Sequence, residues 1–265
     1  VLVTNIYNGP GLKDVAPGSV HSLRLMTYNF SYQGMGGQQD RVGFDGPWDV
    51  KTVIGTVPVE ADGSAFFQVP AMTPIAIQPL DAEGKAIQLM RSWFTAQPGE
   101  VVSCTGCHEL QNSTPMATPP RAAFRAPSEI KPWYGPTRGF SYRREVQQVL
   151  DRYCVSCHDG VARTDGLELC SLLDGPDVHP TAHKANYNEP AHFSPSYMEL
   201  KQFIRNPTIE SDAHLLTPRD FHADTNRLVQ MLQKGHFGVQ LDAESWDRLI
   251  TWIDLNTPAH GTWVD

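Results

Sequence analysis

Hydrophobic and polar positions change period near the middle of the chain. Val1 to Tyr7 opens as an apolar, strand-like run, and Ser22 to Tyr32 alternates in part. There Leu23, Leu25, Thr27 and Asn29 stand against Arg24, Met26, Tyr28 and Phe30, a half-buried strand pattern. Thr52 to Glu60 and Ala65 to Val69 flank Ala61-Asp62-Gly63-Ser64, and Ile75 to Leu80 and Ala86 to Met90 flank Asp81-Ala82-Glu83-Gly84. Both read as hairpins, because Asp and Gly supply the turn conformations that tight connections need. The Gly34-Met35-Gly36-Gly37 stretch reads as a turn-rich loop. This half predicts a small antiparallel sandwich. Residues 112–131 are rich in Pro, Ala and Thr and read as an extended linker.

Beyond it the helical period takes over. Ser141 can cap a helix that puts Val146, Val149, Leu150 and Tyr153 on one stripe. A short helix is expected over Tyr197 to Ile204. Asp224 can cap another, with Leu228, Met231 and Leu232 inward and Gly235 as its stop. Asp242 can cap the last, whose stripe is Trp246, Leu249, Ile250 and Ile253. The fold class is α+β, with a β-rich domain over 1–118, a Pro-rich linker over 119–140 and a mostly helical domain with long loops over 141–265.

Two pentapeptides punctuate this pattern: Cys104-Thr105-Gly106-Cys107-His108 and Cys154-Val155-Ser156-Cys157-His158. Each is Cys-x-x-Cys-His, the pattern of c-type haem attachment. Two thiols at this spacing can add across the vinyl groups on one porphyrin edge, and the next residue's imidazole can reach the iron. Together they use four of the five cysteines, so two covalently bound haems are expected, with structural zinc as the lesser alternative. The first motif ends the β-rich domain. The second follows a predicted helix, in the order of a class I cytochrome c domain enlarged by an insertion over 159–223.

His108 and His158 are the proximal ligands by position. The distal ligand of a class I domain comes from the loop before the terminal helix, which here carries His236; His222 and His260 are alternatives, and Met231 reads as core. The first haem has no equally clear partner. His21 is one candidate, and Met26, Met35, Met72, Met90, Tyr28 and Tyr32 stay open beside it. Trp93 and Phe94 can pack on the porphyrin or close the β core. Cys170 with His179, His183, His192 and His214 matches no standard zinc spacing and reads as a thiol among surface histidines. Glu100, Glu109, Asp220 and Asp224 are candidate proton donors near the motifs and ligand loop.

Charge then narrows the partners. The 265 residues carry a net charge of -8 with 19% charged positions, which argues against a nucleic-acid surface and favours basic or neutral redox partners. No apolar run approaches the roughly 18 residues of a membrane span. Haem of this kind is attached outside the cytoplasm, so a periplasmic or extracellular protein is expected, in mature form with its export signal removed. The leading expectation is a dihaem electron relay. The alternatives are an oxidoreductase acting on a small nitrogen compound or peroxide at the first haem, and a homo-oligomer or conductive filament built by strand pairing.

Several phrases together resemble the hydrazine synthase alpha subunit family: Gly46-Pro47-Trp48-Asp49, Gly55-Thr56-Val57-Pro58-Val59, Arg91-Ser92-Trp93-Phe94, Gln97-Pro98-Gly99-Glu100 leading to Cys104, and Trp252-Ile253-Asp254-Leu255-Asn256. The resemblance implies a β-rich domain with one c-type haem, followed by a cytochrome c domain with a bis-histidine haem. In the hydrazine-forming member a tyrosine four residues after the first motif binds the iron. Asn112 stands at that place here, so the fold and haem sites are implied and hydrazine synthesis is not.

Overall fold

The computed structural model describes residues 1–30, 40–47, 49–112, 114, 118–161, 169–178, 192–208 and 215–263. The described chain is α+β and divides into two compact units, each discontinuous in sequence. The first comprises Val1–Tyr28, Thr52–Arg138 and Ser211–His222. The second comprises Asn29–Lys51, Gly139–Glu210 and Ala223–Asp265.

In the first unit two sheets share one hydrophobic core. Its strands are β1 (Leu2–Val3), β2 (Ser22–Asn29), β3 (Val50–Pro58), β4 (Ala65–Phe66), β5 (Ile75–Leu80), β6 (Ser103–Cys104) and β7 (Lys131–Pro132). One sheet runs β4-β1-β6, the other β5-β2-β3-β7. Val3, Leu23, Leu25, Val57, Ala65, Phe67, Ile75 and Ile77, drawn from both, are buried together. Burying apolar surface of this kind is the main drive to fold. The alternation in β2 does not leave its polar face wet. Arg24 is buried, and it donates to Gln78 Oε1 at 2.9 Å on the paired strand and to Gly84 O at 3.1 Å.

Two expectations change. The Ala61–Ser64 turn forms, with Gly63 at φ 82°, but it does not join a hairpin. After the turn the chain crosses to the other sheet, where β4 pairs antiparallel with β1 (Leu2↔Phe66, Val3↔Ala65). Nor is the sandwich purely antiparallel: β6 runs parallel to β1, in the register Val3↔Cys104. The second turn, at Asp81, is a true reversal. The Asp81 carboxylate accepts from the Glu83 and Lys85 N–H groups, although beyond it only the Leu80↔Ala86 bridge pairs.

The second unit is helical. Its helices are α1 (Tyr142–Glu145), α2 (Gln147–Tyr153), α3 (Pro195–Lys201), α4 (Arg227–Gln233) and α5 (Ala243–Asp254). Asp242 caps α5 as its sequence implies, its carboxylate accepting from Ser245 N at 2.8 Å. That bond is the first cause holding the Asp242 carboxyl down at about 2. The third helix starts earlier than its apolar pattern suggests, because Ser194 caps it and Pro195 fits the first turn. Asp224 does not cap α4; it lies in a 3-10 turn and accepts from the Gln233 side chain, while Asn226 takes the cap position. Trp252, Tyr142, Tyr197 and Phe193 form the buried aromatic centre, with Tyr142 and Tyr197 edge to face at 5.2 Å. Beside it, buried Glu145 is paired with Arg248.

The 40–47 loop is stitched to this unit. Phe44 N donates to the Tyr197 hydroxyl at 2.9 Å, and that hydroxyl donates to Thr257 O at 2.9 Å. Ala259 and His260 N–H groups donate to Val42 O. Tyr197→Phe leaves the half-buried Phe44 N–H and the buried Thr257 carbonyl without their shared hydroxyl. The expected loss is about 1–3 kcal/mol of unfolding free energy, read by urea titration, with little change in m.

Candidate haem-binding sites

The second motif follows from how α2 ends. Cys154 N and Val155 N both donate to Leu150 O, and the Cys157 and His158 N–H groups then donate to Cys154 O at 3.1 and 2.9 Å. This tight wrap brings Cys154, Cys157 and His158 onto one wall of a cleft. The other walls are almost wholly apolar, among them Leu150, Leu172, Leu200, Phe203, Leu228 and Leu249. A dry apolar cleft with a few convergent donors is the usual form of a cofactor site.

His236 lies across this cleft. Gly235 ends α4 at φ 88°, and Phe237 and Gly238 also take left-handed conformations. For Phe237 that conformation is strained, at a cost of order 1 kcal/mol. The tight turn aims the His236 ring at His158, with centroids 6.1 Å apart and planes 31° from parallel. A metal held between two imidazole nitrogens, each about 2 Å away, sets the ring centres roughly 6 Å apart. The gap therefore fits a bis-histidine iron. His158 is also oriented from behind: its Nδ1 donates to Cys170 O at 3.0 Å. A carbonyl only accepts, so Nδ1 carries the proton and Nε2 is left with its lone pair for a metal.

The first motif is built into the β unit by close backbone approach. Cys104 closes β6, Thr4 N donates to Cys104 O, Cys107 N to Ile6 O, and Gly11 N to Cys107 O. Gly106 is required there: a Cβ would sit 2.0 Å from Asn8 O. Glu109 accepts from the backbone and hydroxyl of Thr105 and pins the turn. His108 takes a left-handed φ of 53°. Cys104, Cys107 and His108 line a second cavity with Ile6, Ile77, Met90, Arg91, Phe94 and Leu216. This wall is more polar than that of the other cleft, through Gln88, Arg91 and Ser92.

Burial pushes the Cys107 and Cys154 thiols up to about 11, with Cys170 and Cys157 adding to the effect at Cys154. Cys104 is raised as well, by burial and then by the Glu109 charge. These are protonated thiols at neutral pH, unlike the stabilised thiolates of redox or reactive cysteines.

The other candidates fall elsewhere. His21 precedes β2, is exposed and does not line the first cavity. Phe94 lines that cavity, whereas the Trp93 ring packs 5.5 Å from Tyr28. His222 is bound to Asp81 at 2.9 Å within the first unit, and His260 donates to His192 O. Met231 lines the second cleft. Glu100, Glu109, Asp220 and Asp224 line neither cavity. Among the described residues no group of three or more His, Cys, Asp or Glu converges; His179, His183, His214, Met35 and Tyr32 lie outside them. Two contributors carry no sequence signal: the Cys170 carbonyl, and Leu215 and Leu216 on the first cavity's wall.

Two cavities, each with a Cys-x-x-Cys-His segment on its wall, thus define a two-site α+β chain. Residues 18–109 match the family model described as the hydrazine synthase alpha subunit middle domain. A chain of Kuenenia stuttgartiensis hydrazine synthase matches in structure with a TM-score of 0.64 and 16% identity, over 98% of this chain and 43% of that one. At that identity the likeness is one of fold, and this chain spans less than half of its counterpart. No curated protein matches it in sequence. Residues 18–109 are thus similar to the hydrazine synthase alpha subunit middle domain, and the described fold is similar to that of a hydrazine synthase chain.

In the chain made without attached haem, alkylation of Cys107 and Cys154 should rise roughly tenfold per pH unit and level off only near pH 11. A plateau near pH 9, followed by mass-spectrometric peptide mapping, contradicts the buried-thiol geometry. The same raised thiol pKa makes that chain lose folding stability as pH climbs from about 9 to about 11.

Proposed function

We propose that the chain is an extracytoplasmic dihaem c-type cytochrome that relays electrons between redox protein partners. The observation that carries this reading is the His158–His236 pair, 6.1 Å apart across an apolar cleft whose wall bears Cys154 and Cys157. When bound there, haem supplies an iron that gains and loses one electron.

The chain's own residues do the rest. The thiols of each motif tether the group covalently. The Cys170 carbonyl keeps the His158 ring in one orientation and one tautomer. His236, across the cleft from His158, would hold the iron together with it and leave no position for a substrate, which suits electron transfer and not bond making. The leucine-rich walls exclude water and lower the local dielectric, a main determinant of potential. A net charge of -8 fits partners with basic or neutral surfaces. Attachment of such haems outside the cytoplasm gives the localisation.

A second reading, an oxidoreductase acting on a small nitrogen compound or peroxide, draws on the first cavity. Its described lining includes His108 and no second histidine, and it is the more polar of the two. Hydrazine synthesis is not proposed: Asn112 is exposed and does not line that cavity.

Intact-mass measurement of the denatured chain, exported in a host with haem-attachment machinery, should show an increment of two haems. Replacing Cys104 and Cys107 by Ala should remove one, and replacing Cys154 and Cys157 the other. An increment of none or one on the unaltered chain contradicts the reading. His236→Ala should keep both haems and turn one high-spin in the ferric absorption spectrum; an unchanged spectrum means another group faces His158.

A further inference from the structure

We propose that Met90 supplies the iron ligand opposite His108, so that the two haems of this chain carry unlike axial pairs. The inference rests on the two-haem reading and names the ligand that reading leaves open.

The described walls of the first cavity hold one histidine, His108. Apart from the motif cysteines, the soft donor among them is the Met90 thioether. Among the described residues, the other ligands that the sequence offers for this haem are not on this wall. Met26 is fully buried in β2, Met72 is 64% exposed, and Tyr28 and His21 do not line the cavity.

Met90 is also held in place. Ile77 N donates to its Sδ at 3.2 Å, and Ile77 lines the same cavity. Two residues before it, Gln88 is buried. Its Nε2 donates to Gly11 O and to Leu216 O, both at 2.8 Å, and its Oε1 accepts from Leu89 N. Gly11 N in turn donates to Cys107 O at 3.1 Å. The segment carrying the thioether and the segment carrying the motif therefore belong to one hydrogen-bonded frame. These contacts fix the thioether beside the cavity, as a preorganised ligand position requires.

The consequence is a ranking of potentials. A methionine–histidine pair raises the potential of a haem relative to a bis-histidine pair. The first haem is then the electron acceptor of the two, and a closed one. That ligation favours the relay over the oxidoreductase.

The test uses the exported chain with its haem content measured first. Near-infrared magnetic circular dichroism of the ferric protein should show one thioether-to-iron band and one bis-imidazole band in equal amounts. Met90→Ala should abolish the thioether band and make one haem high-spin while two haems stay attached. Met90→His should replace that band with a second bis-imidazole signal and shift the higher of the two reduction waves downward. Two attached haems with no thioether band in the unaltered protein, or a band that survives Met90→Ala, overturn the proposal and leave the two-haem reading standing. Fewer than two haems overturn both.

Discussion

The constraint on which the second unit depends is the width of one gap. Two imidazoles that are to share a metal must stand about 6 Å apart, with their ring nitrogens turned inward. Neither condition comes from the histidines themselves. His158 owes its place to the frayed end of α2, where the chain wraps back on Leu150 and Cys154, and its orientation to the Cys170 carbonyl. His236 owes its place to a tight turn between α4 and α5 in which Gly235, Phe237 and Gly238 are left-handed. The strain at Phe237 is tolerated because the helices on either side are fixed. Asp242 caps α5, and its carboxylate also meets Arg152 and Tyr153 at the end of the motif helix. The elements that carry the two histidines are thus bound to each other directly, so the gap is a property of the folded unit.

The first unit solves the same problem with strands. There the motif is not the end of a helix but the continuation of β6, laid parallel to β1 and packed so closely that Gly106 and Gly11 have no room for side chains. The cavity wall is completed by residues distant in sequence, Gln88 to Ser92 with Phe94, and Leu215 with Leu216; Gln88 ties them to the motif by donating to Gly11 O and Leu216 O. The His222–Asp81 contact and the Arg219 N–H to Ile87 O bond hold that last segment against the β unit. Unlike walls give unlike donors. One cleft offers a second histidine, the other a thioether and an arginine.

Much of this is legible in residue order, and the reasons differ by element. The motifs can be read because thiol spacing is fixed by covalent chemistry and needs no knowledge of the fold. The turn that carries His236 can be read because a glycine-flanked segment just before a capped amphipathic helix marks a tight reversal of the chain. The last helix follows from its stripe and from Asp242. Strand partners are not legible: Asp62 and Gly63 specify a turn and say nothing about which strand lies beyond it, so β4 goes to β1 and not to β3. Nor is the Cys170 contribution, since a backbone carbonyl leaves no mark on the sequence. Only a strand-like setting suggests His21 as a ligand, and the chain carries it to the surface. The distant likeness in fold to hydrazine synthase agrees with the phrases around the motifs, while the site residues have to be argued from this chain alone.

The central claim is an iron shared by His158 and His236. Anomalous diffraction at the iron edge, on crystals of the exported chain, tests it most directly. An iron peak is expected between the two rings, with both imidazole nitrogens about 2 Å away and thioether density at Cys154 and Cys157. An iron bound to His158 with His236 turned away, or no iron in that cleft, would contradict it.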